Sequence, residues 1–361
     1  MRRDRKLREI CEFRISESLA SRLSQPNVGR LLASGNVRQI KVEVGDPLFH
    51  EIRLLDSKLR ESEGRRVFTF SLITRVYTPT EIESAELLQM FITTVFEPAG
   101  EECGTQYDET SACGFCGAGA RQVSDLFLDH RKLPRKREIA STIVGEVVVS
   151  ERLAKILKQE QVRGVDFGPV RHRGQYSDDP VDLQITASGR RLLDAARRAG
   201  ISSQSQEYYL WLNRAENRKL WEDAHDEFIL SQKRKEVKSR RIWPKWYQLK
   251  ITSNRLPIAS CTRTGVDVSG IDSEEAQRCP RGHNIGYRIL SEVYVQRDAW
   301  DGADIMLTRE MTGPRRGLLR PRATILVTPR LRRILLANRI KGVAFEIAHF
   351  VSYSDSPSST R

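Results

Sequence analysis

Hydrophobic positions along the chain fall into short β-branched runs and helical stripes spaced by three or four residues. Val147-Val148-Val149 reads as a buried strand. Ser150 then stands where an N-cap belongs, and Leu153, Ile156 and Leu157 fall on one helical face. Gly164 suits the turn that ends the connection, and Val165-Asp166-Phe167 alternates like a second strand. The same pattern returns 178 residues later as Ile325-Leu326-Val327-Thr328-Pro329, then Leu331, Ile334, Leu335, Gly342, Val343 and Phe345. Pro329 takes the first helical position in this copy. Eight of the 21 aligned positions from 147 to 167 are identical, against about one expected at average composition. The excess favours a degenerate tandem duplication; the alternative is two generic strand-helix-strand elements with unrelated surroundings.

Residues 1 to 90 add further alternation, at Ile40-Lys41-Val42-Glu43-Val44 and Val67-Phe68-Thr69-Phe70-Ser71-Leu72. Thr78-Pro79-Thr80-Glu81 marks a helix start. Ser188 to Ala199 reads as a short helix with Leu192, Leu193 and Ala196 inward. Residues 206 to 241 read as a long helix or helical pair carrying Tyr208, Trp211, Leu212, Trp221 and Phe228, with Trp221, Phe228 and their neighbours expected in a core rather than around a ligand. The expected fold is α+β: two degenerate tandem repeats, each a cysteine cluster followed by a strand-helix-strand unit, joined by a charged helical segment. The boundaries this gives are 1–175, a helical linker at 176–241, and 242–361.

The six cysteines are at 11, 103, 113, 116, 261 and 279. Cys113-Gly-Phe-Cys116-Gly117 is a knuckle whose tight turn aims two thiolates at one ion, and Cys103 lies ten residues upstream as a third sulfur. Cys261, Cys279 and His283 form a second set, with CxxxH in place of CxxC. Zinc takes four such ligands in a tetrahedron. The metal expected is therefore structural zinc, with Cys103, Cys113, Cys116, Cys261, Cys279 and His283 as candidate ligands. Neither set shows its fourth ligand: His130 can serve the first, or one site can draw on both halves. Cys11 remains as a lone buried thiol.

Length and charge narrow the function. The chain has 361 residues, 39% of them hydrophobic, and a formal charge of +13 from 60 Lys and Arg against 47 Asp and Glu. That excludes a wholly disordered chain, and no apolar run is long enough to span a bilayer. The basic N-terminus lacks an apolar stretch behind it, so a cytoplasmic protein is expected. Basic clusters at residues 2–8, 131–137, 233–241 and 315–341 keep nucleic acid open as a partner. No helix-turn-helix, RNP motif or C2H2 finger accompanies them. No GxSxG, Walker loop, GxGxxG or HExxH is present, and Asp178, Asp179 and Asp182 read as a turn. No catalytic residue is assigned.

Cys113-Gly-Phe-Cys116-Gly117, Glu146-Val-Val-Val-Ser150-Glu-Arg-Leu and Gly164-Val-Asp-Phe-Gly-Pro-Val170 together resemble the bacterial double-CxxCG motif family. The strand-helix-strand ending also resembles small immunity proteins that neutralise toxins. The likeness covers residues 100–170 and, more weakly, 261–348, with the second knuckle reading Cys279-Pro-Arg-Gly-His283. It implies a zinc-stapled binding protein that recognises a partner protein, such as a toxin, and carries no catalytic residues. A basic nucleic-acid-binding protein with a zinc knuckle is the alternative.

Overall fold

The computed structural model describes residues 7–352, apart from 34, 175–185, 203–207, 209–210, 213, 240–243, 267, 269–276, 280, 282 and 315–317. The turn assigned to Asp178, Asp179 and Asp182 lies outside the described residues. The chain is mixed α+β. No helix among the described residues is long and apolar enough to cross a membrane.

Near the N-terminus, strand Arg8–Ser16 pairs antiparallel with Val37–Glu43 on one side and Phe68–Val76 on the other. Alternation turns Cys11, Phe13 and Ile15 inward, where they meet Ile40, Phe49, Ile52 and Phe68. Helix Pro47–Glu63 covers this face. Its start is fixed by Asp46, whose carboxylate accepts from Leu48 N, and by Pro47 in the first turn. Arg75 fastens the unit to the rest of the molecule through a buried ion pair, Nη1 to Glu346 Oε2 at 2.8 Å.

Two larger sheets follow. One runs 95–96, 139–142, 147–150, 246–251, 165–172, 126–128 across its width. The other runs 277–278, 284–285, 305–313, 322–327, 87–92, 343–351, 293–296, with 255–256 beside 305–313. Two strands sit away from their sequence neighbours. Trp246–Ile251 lies between 147–150 and 165–172, with Val148 opposite Gln248. Leu87–Ile92 lies between 322–327 and 343–351, with Leu326 opposite Gln89. The sheets therefore do not divide along segments 1–175 and 242–361, because each holds a central strand from the other segment.

The two strand-helix-strand units form as the periodicity predicts. Ser150 Oγ accepts from Leu153 N to start helix Glu151–Gln159, and Thr328 Oγ1 does the same for Leu331 N ahead of Pro329–Ala337. Leu153 and Leu157 of one helix share a core with Leu331, Ile334 and Leu335 of the other, together with Leu88, Val149, Leu249, Ile305 and Val327. Each sheet's ladder runs on one position past its strands, Thr93 N donating to Gly342 O at 2.9 Å and Thr252 N to Gly164 O at 3.0 Å, and side chains then join the two units. Arg152 Nη2 reaches Asn338 O at 2.8 Å, and Arg330 Nη2 bonds Glu160 O.

Helices Ala187–Arg198 and Ala215–Ser239 fill the expected linker region. They bury Leu192, Leu193, Ala196, Tyr208, Trp211, Leu212, Ala224 and Phe228 against one another. The aromatics there are a core, as the spacing predicts.

Candidate metal centre

The first knuckle projects between two short paired strands, Tyr107–Asp108 and Arg121–Gln122. Its turn closes through Cys113 N to Ala118 O at 2.9 Å and Gly117 N to Cys113 O at 2.7 Å. Gly117 adopts φ +70°, a conformation that favours glycine. The second knuckle stands on Gln277–Arg278 and Asn284–Ile285, paired antiparallel. There Cys279 N donates to His283 O at 2.9 Å, and His283 N points at Cys279 Sγ from 3.3 Å.

The two tips meet. One ligand atom from each of Cys113, Cys116, Cys279 and His283 lies within 4.8 Å of all the others, so the four can hold a metal ion. Cys113 Sγ is 3.7 Å from Cys279 Sγ, and Cys116 Sγ is 4.0 Å from Cys279 Sγ. A tetrahedron with metal–sulfur bonds of about 2.3 Å has sulfur–sulfur edges of about 3.8 Å. The two edges to Cys279 already hold that spacing. His283 Nδ1 stands 3.1 Å from Cys116 Sγ and supplies the fourth donor. The three thiols are buried together with Ala118 and Ile285, and Met311 packs against them.

Local dipoles set the charge of these thiols. Burial pushes Cys113 up, but N–H groups of Cys116 and Phe115 and the ring of His283 outweigh it, bringing the thiol down to about 6. Burial pushes Cys116 up to about 11, assisted by the neighbouring Cys113 and Cys279 sulfurs. A metal ion in their midst would reverse that logic and hold all three sulfurs as thiolates.

Of the six candidate ligands, the structure gathers four and leaves two apart. Cys103 is buried at the end of the short helical turn Glu101–Cys103, and burial raises its thiol to about 12. Cys261 is exposed. His130 is likewise elsewhere, its ring 5.1 Å from that of His172. The open choice between two sites and one shared site resolves geometrically to a shared cluster. Cys11 is fully buried, as expected of a lone thiol.

A cavity of about 800 Å³ runs between the sheets beside this centre, with Gly117, Gly119 and Met311 on its wall. Glu146 is buried there and well satisfied: Oε2 accepts from Gly100 N at 2.9 Å and Thr142 Oγ1 at 2.6 Å, and Oε1 from Tyr107 Oη at 2.5 Å. Arg320 and Arg322 also line it. The sequence placed Glu146 only in a strand motif and Arg320 and Arg322 only in a basic cluster, because nothing local shows that these segments meet. The only local clues were glycines: Arg320 Nε lies 2.5 Å from where a Cβ on Gly117 would stand, and Arg322 Nη1 2.6 Å from one on Gly145.

Comparison with protein-family models, with curated proteins and with solved structures finds nothing that matches this chain.

Proposed function

We propose that the chain is a zinc-stapled, non-catalytic binding protein of the bacterial cytoplasm, in which two degenerate repeats present a surface to a partner protein, as an immunity protein does to a toxin. The observation that carries this reading is the donor set: Cys113 and Cys116 from one segment, Cys279 and His283 from the other. Three thiolates and an imidazole suit zinc, and four protein donors leave no open position for substrate or water. A closed site of this kind staples rather than catalyses.

Matching strand pairings support the repeat. Strand 147–150 pairs with 246–251 as 322–327 pairs with 87–92, and parallel edges join 126–128 to 165–172 and 293–296 to 343–351. Thr105 Oγ1 accepts from Phe127 N, and Thr262 Oγ1 accepts from Tyr294 N, both at 2.9 Å. Exposed Phe115 and Val123, on and beside the first knuckle, supply apolar contact area for a partner.

Metal analysis of the purified protein tests the staple. One zinc per chain is expected, and Cys113→Ser and Cys279→Ser should each release it. Two ions per chain, or a Cys279→Ser variant that keeps a full complement, would overturn the shared site; no metal at all would overturn zinc. The nucleic-acid reading rests on exposed Lys132, Arg135, Lys136 and Arg137. It predicts capture of single-stranded RNA that falls steeply with salt, whereas an apolar protein interface holds.

A further inference from the structure

Two ladders stop short inside their sheets. Strand Leu87–Ile92 pairs with 343–351 from Leu87 to Ile92, but with 322–327 only at Leu88 and Gln89. Strand Trp246–Ile251 pairs with 165–172 as far as Ile251, but with 147–150 only as far as Gln248. Alternation fixes what is left open. Thr93 N donates to Gly342 O, and Thr252 N to Gly164 O. In an antiparallel ladder every second residue bonds the same way, so Ile92 and Ile251 turn their N–H and C=O to the opposite side. There, among the described residues, no strand pairs with either.

Both open edges border the cavity of about 800 Å³. Its walls are consecutive residues, 89–92 and 322–325 from one sheet, 248–251 and 145–147 from the other. A strand shows consecutive residues along its edge and alternate ones from its face. The cavity is therefore the gap where the strands part. Phe91 and Val95, on the wall beside Ile92, are 39% and 59% exposed. Lys250, Arg255, Arg320 and Arg322 also line it, against Glu101, Glu109 and Glu146. Of these acids Glu146 is already held by Tyr107, Gly100 and Thr142, which leaves an excess of positive charge.

We propose that this gap receives an extended acidic peptide of the partner protein, which adds as a strand to the open Leu87–Ile92 edge. Unpaired N–H and C=O groups in a row are a template for another strand, and main-chain bonds of this kind supply affinity while side-chain contacts supply specificity. Exposed Phe91 and Val95 would cover apolar side chains of the peptide, and the basic lining favours carboxylates on it. The proposal rests on the reading of the chain as a protein-binding module and names the site on it.

Amide exchange of the full chain, read residue by residue, tests the open edge. Ile92 N–H should exchange at least about 100-fold faster than Phe91 N–H, which faces 343–351. A capped hexapeptide alternating valine and glutamate is then titrated, with zinc content measured in each sample. It should bind one per chain with Kd below about 1 mM, and at saturation slow exchange at Ile92 at least about tenfold. The same peptide methylated at its backbone nitrogens, and a valine–lysine counterpart, should each bind at least about tenfold more weakly. Phe91→Glu should weaken the acidic peptide by about as much while the slow exchange of residues 87, 89 and 91 persists. Slow exchange at Ile92 in the free chain overturns the open edge. Equal binding of the methylated peptide overturns strand addition, and equal binding of the lysine peptide overturns the acidic preference. No binding of the acidic peptide at about 1 mM overturns the site. Because zinc is counted separately, a zinc-loaded chain that ignores the peptide loses this site and keeps the staple reading.

Discussion

Gly342 packs its Cα against the main-chain carbonyl of Ile139, so that a Cβ would lie 2.7 Å from the oxygen. Gly164 meets Ile305 in the same way, at 2.5 Å. Both have positive φ, +109° and +89°. Each is a point where one segment's chain passes against a strand of the other sheet. Gly342→Ala and Gly164→Ala should therefore each cost about 3 kcal/mol, combining left-handed strain with a backbone clash. Gly45→Ala, at φ +103° with open space around it, should cost only about 1 kcal/mol. Urea unfolding checks the ordering; equal losses at all three would remove the close approach as the cause.

The thiols should separate by reactivity. With metal bound, Ellman's reagent should modify exposed Cys261 quickly and leave buried Cys11 and Cys103 untouched. Chelation should then release Cys113 as the next to react, because its low value near 6 keeps it a thiolate at neutral pH. Equal rates before and after chelation would show that no ion holds the cluster.

Cys11 carries a pH signature. Burial raises its thiol from 9.0 to about 12. A raised folded value means the associated stability is complete below pH 9 and is lost as pH climbs from 9 toward 12. Over that window the wild type should lose about 1.4 kcal/mol per pH unit more than Cys11→Ala. Parallel stability curves for the two proteins would contradict the burial.

Ser150→Ala and Thr328→Ala each remove a cap from the paired helices. Each should cost about 1 kcal/mol. Caps this far apart in sequence act on helices that share one core, so melting of the double variant reads their coupling directly. A double loss well beyond about 2 kcal/mol would show that the helices stabilise each other.

What was legible in the sequence was local. Ser150, Thr328 and Pro329 fix helix starts through bonds to residues three positions away, so their pattern survives without a tertiary context. The Cys113–Cys116 turn is local too. Cys103 and Cys261 had ligand-like spacing but folded elsewhere, because proximity along the chain says nothing about which way a thiol turns. The meeting of Cys116 with His283, 167 residues apart, depends on how the sheets assemble. So does the placing of Gln89 and Gln248, each opposite the other segment's strand.

The crossing of strands 87–92 and 246–251 also governs when the molecule can form. As the chain leaves the ribosome, residues 126–172 emerge with their sheet lacking its middle, since Trp246–Ile251 has yet to be made. Strand Leu87–Ile92 waits longer still, until 322–351 are synthesised. Contacts this distant in sequence make for slow closure and a long exposure of unpaired edges. Closure of these two sheets is thus expected late, once residues 322–351 have been made, whereas the N-terminal sheet of residues 8–76 needs none of them.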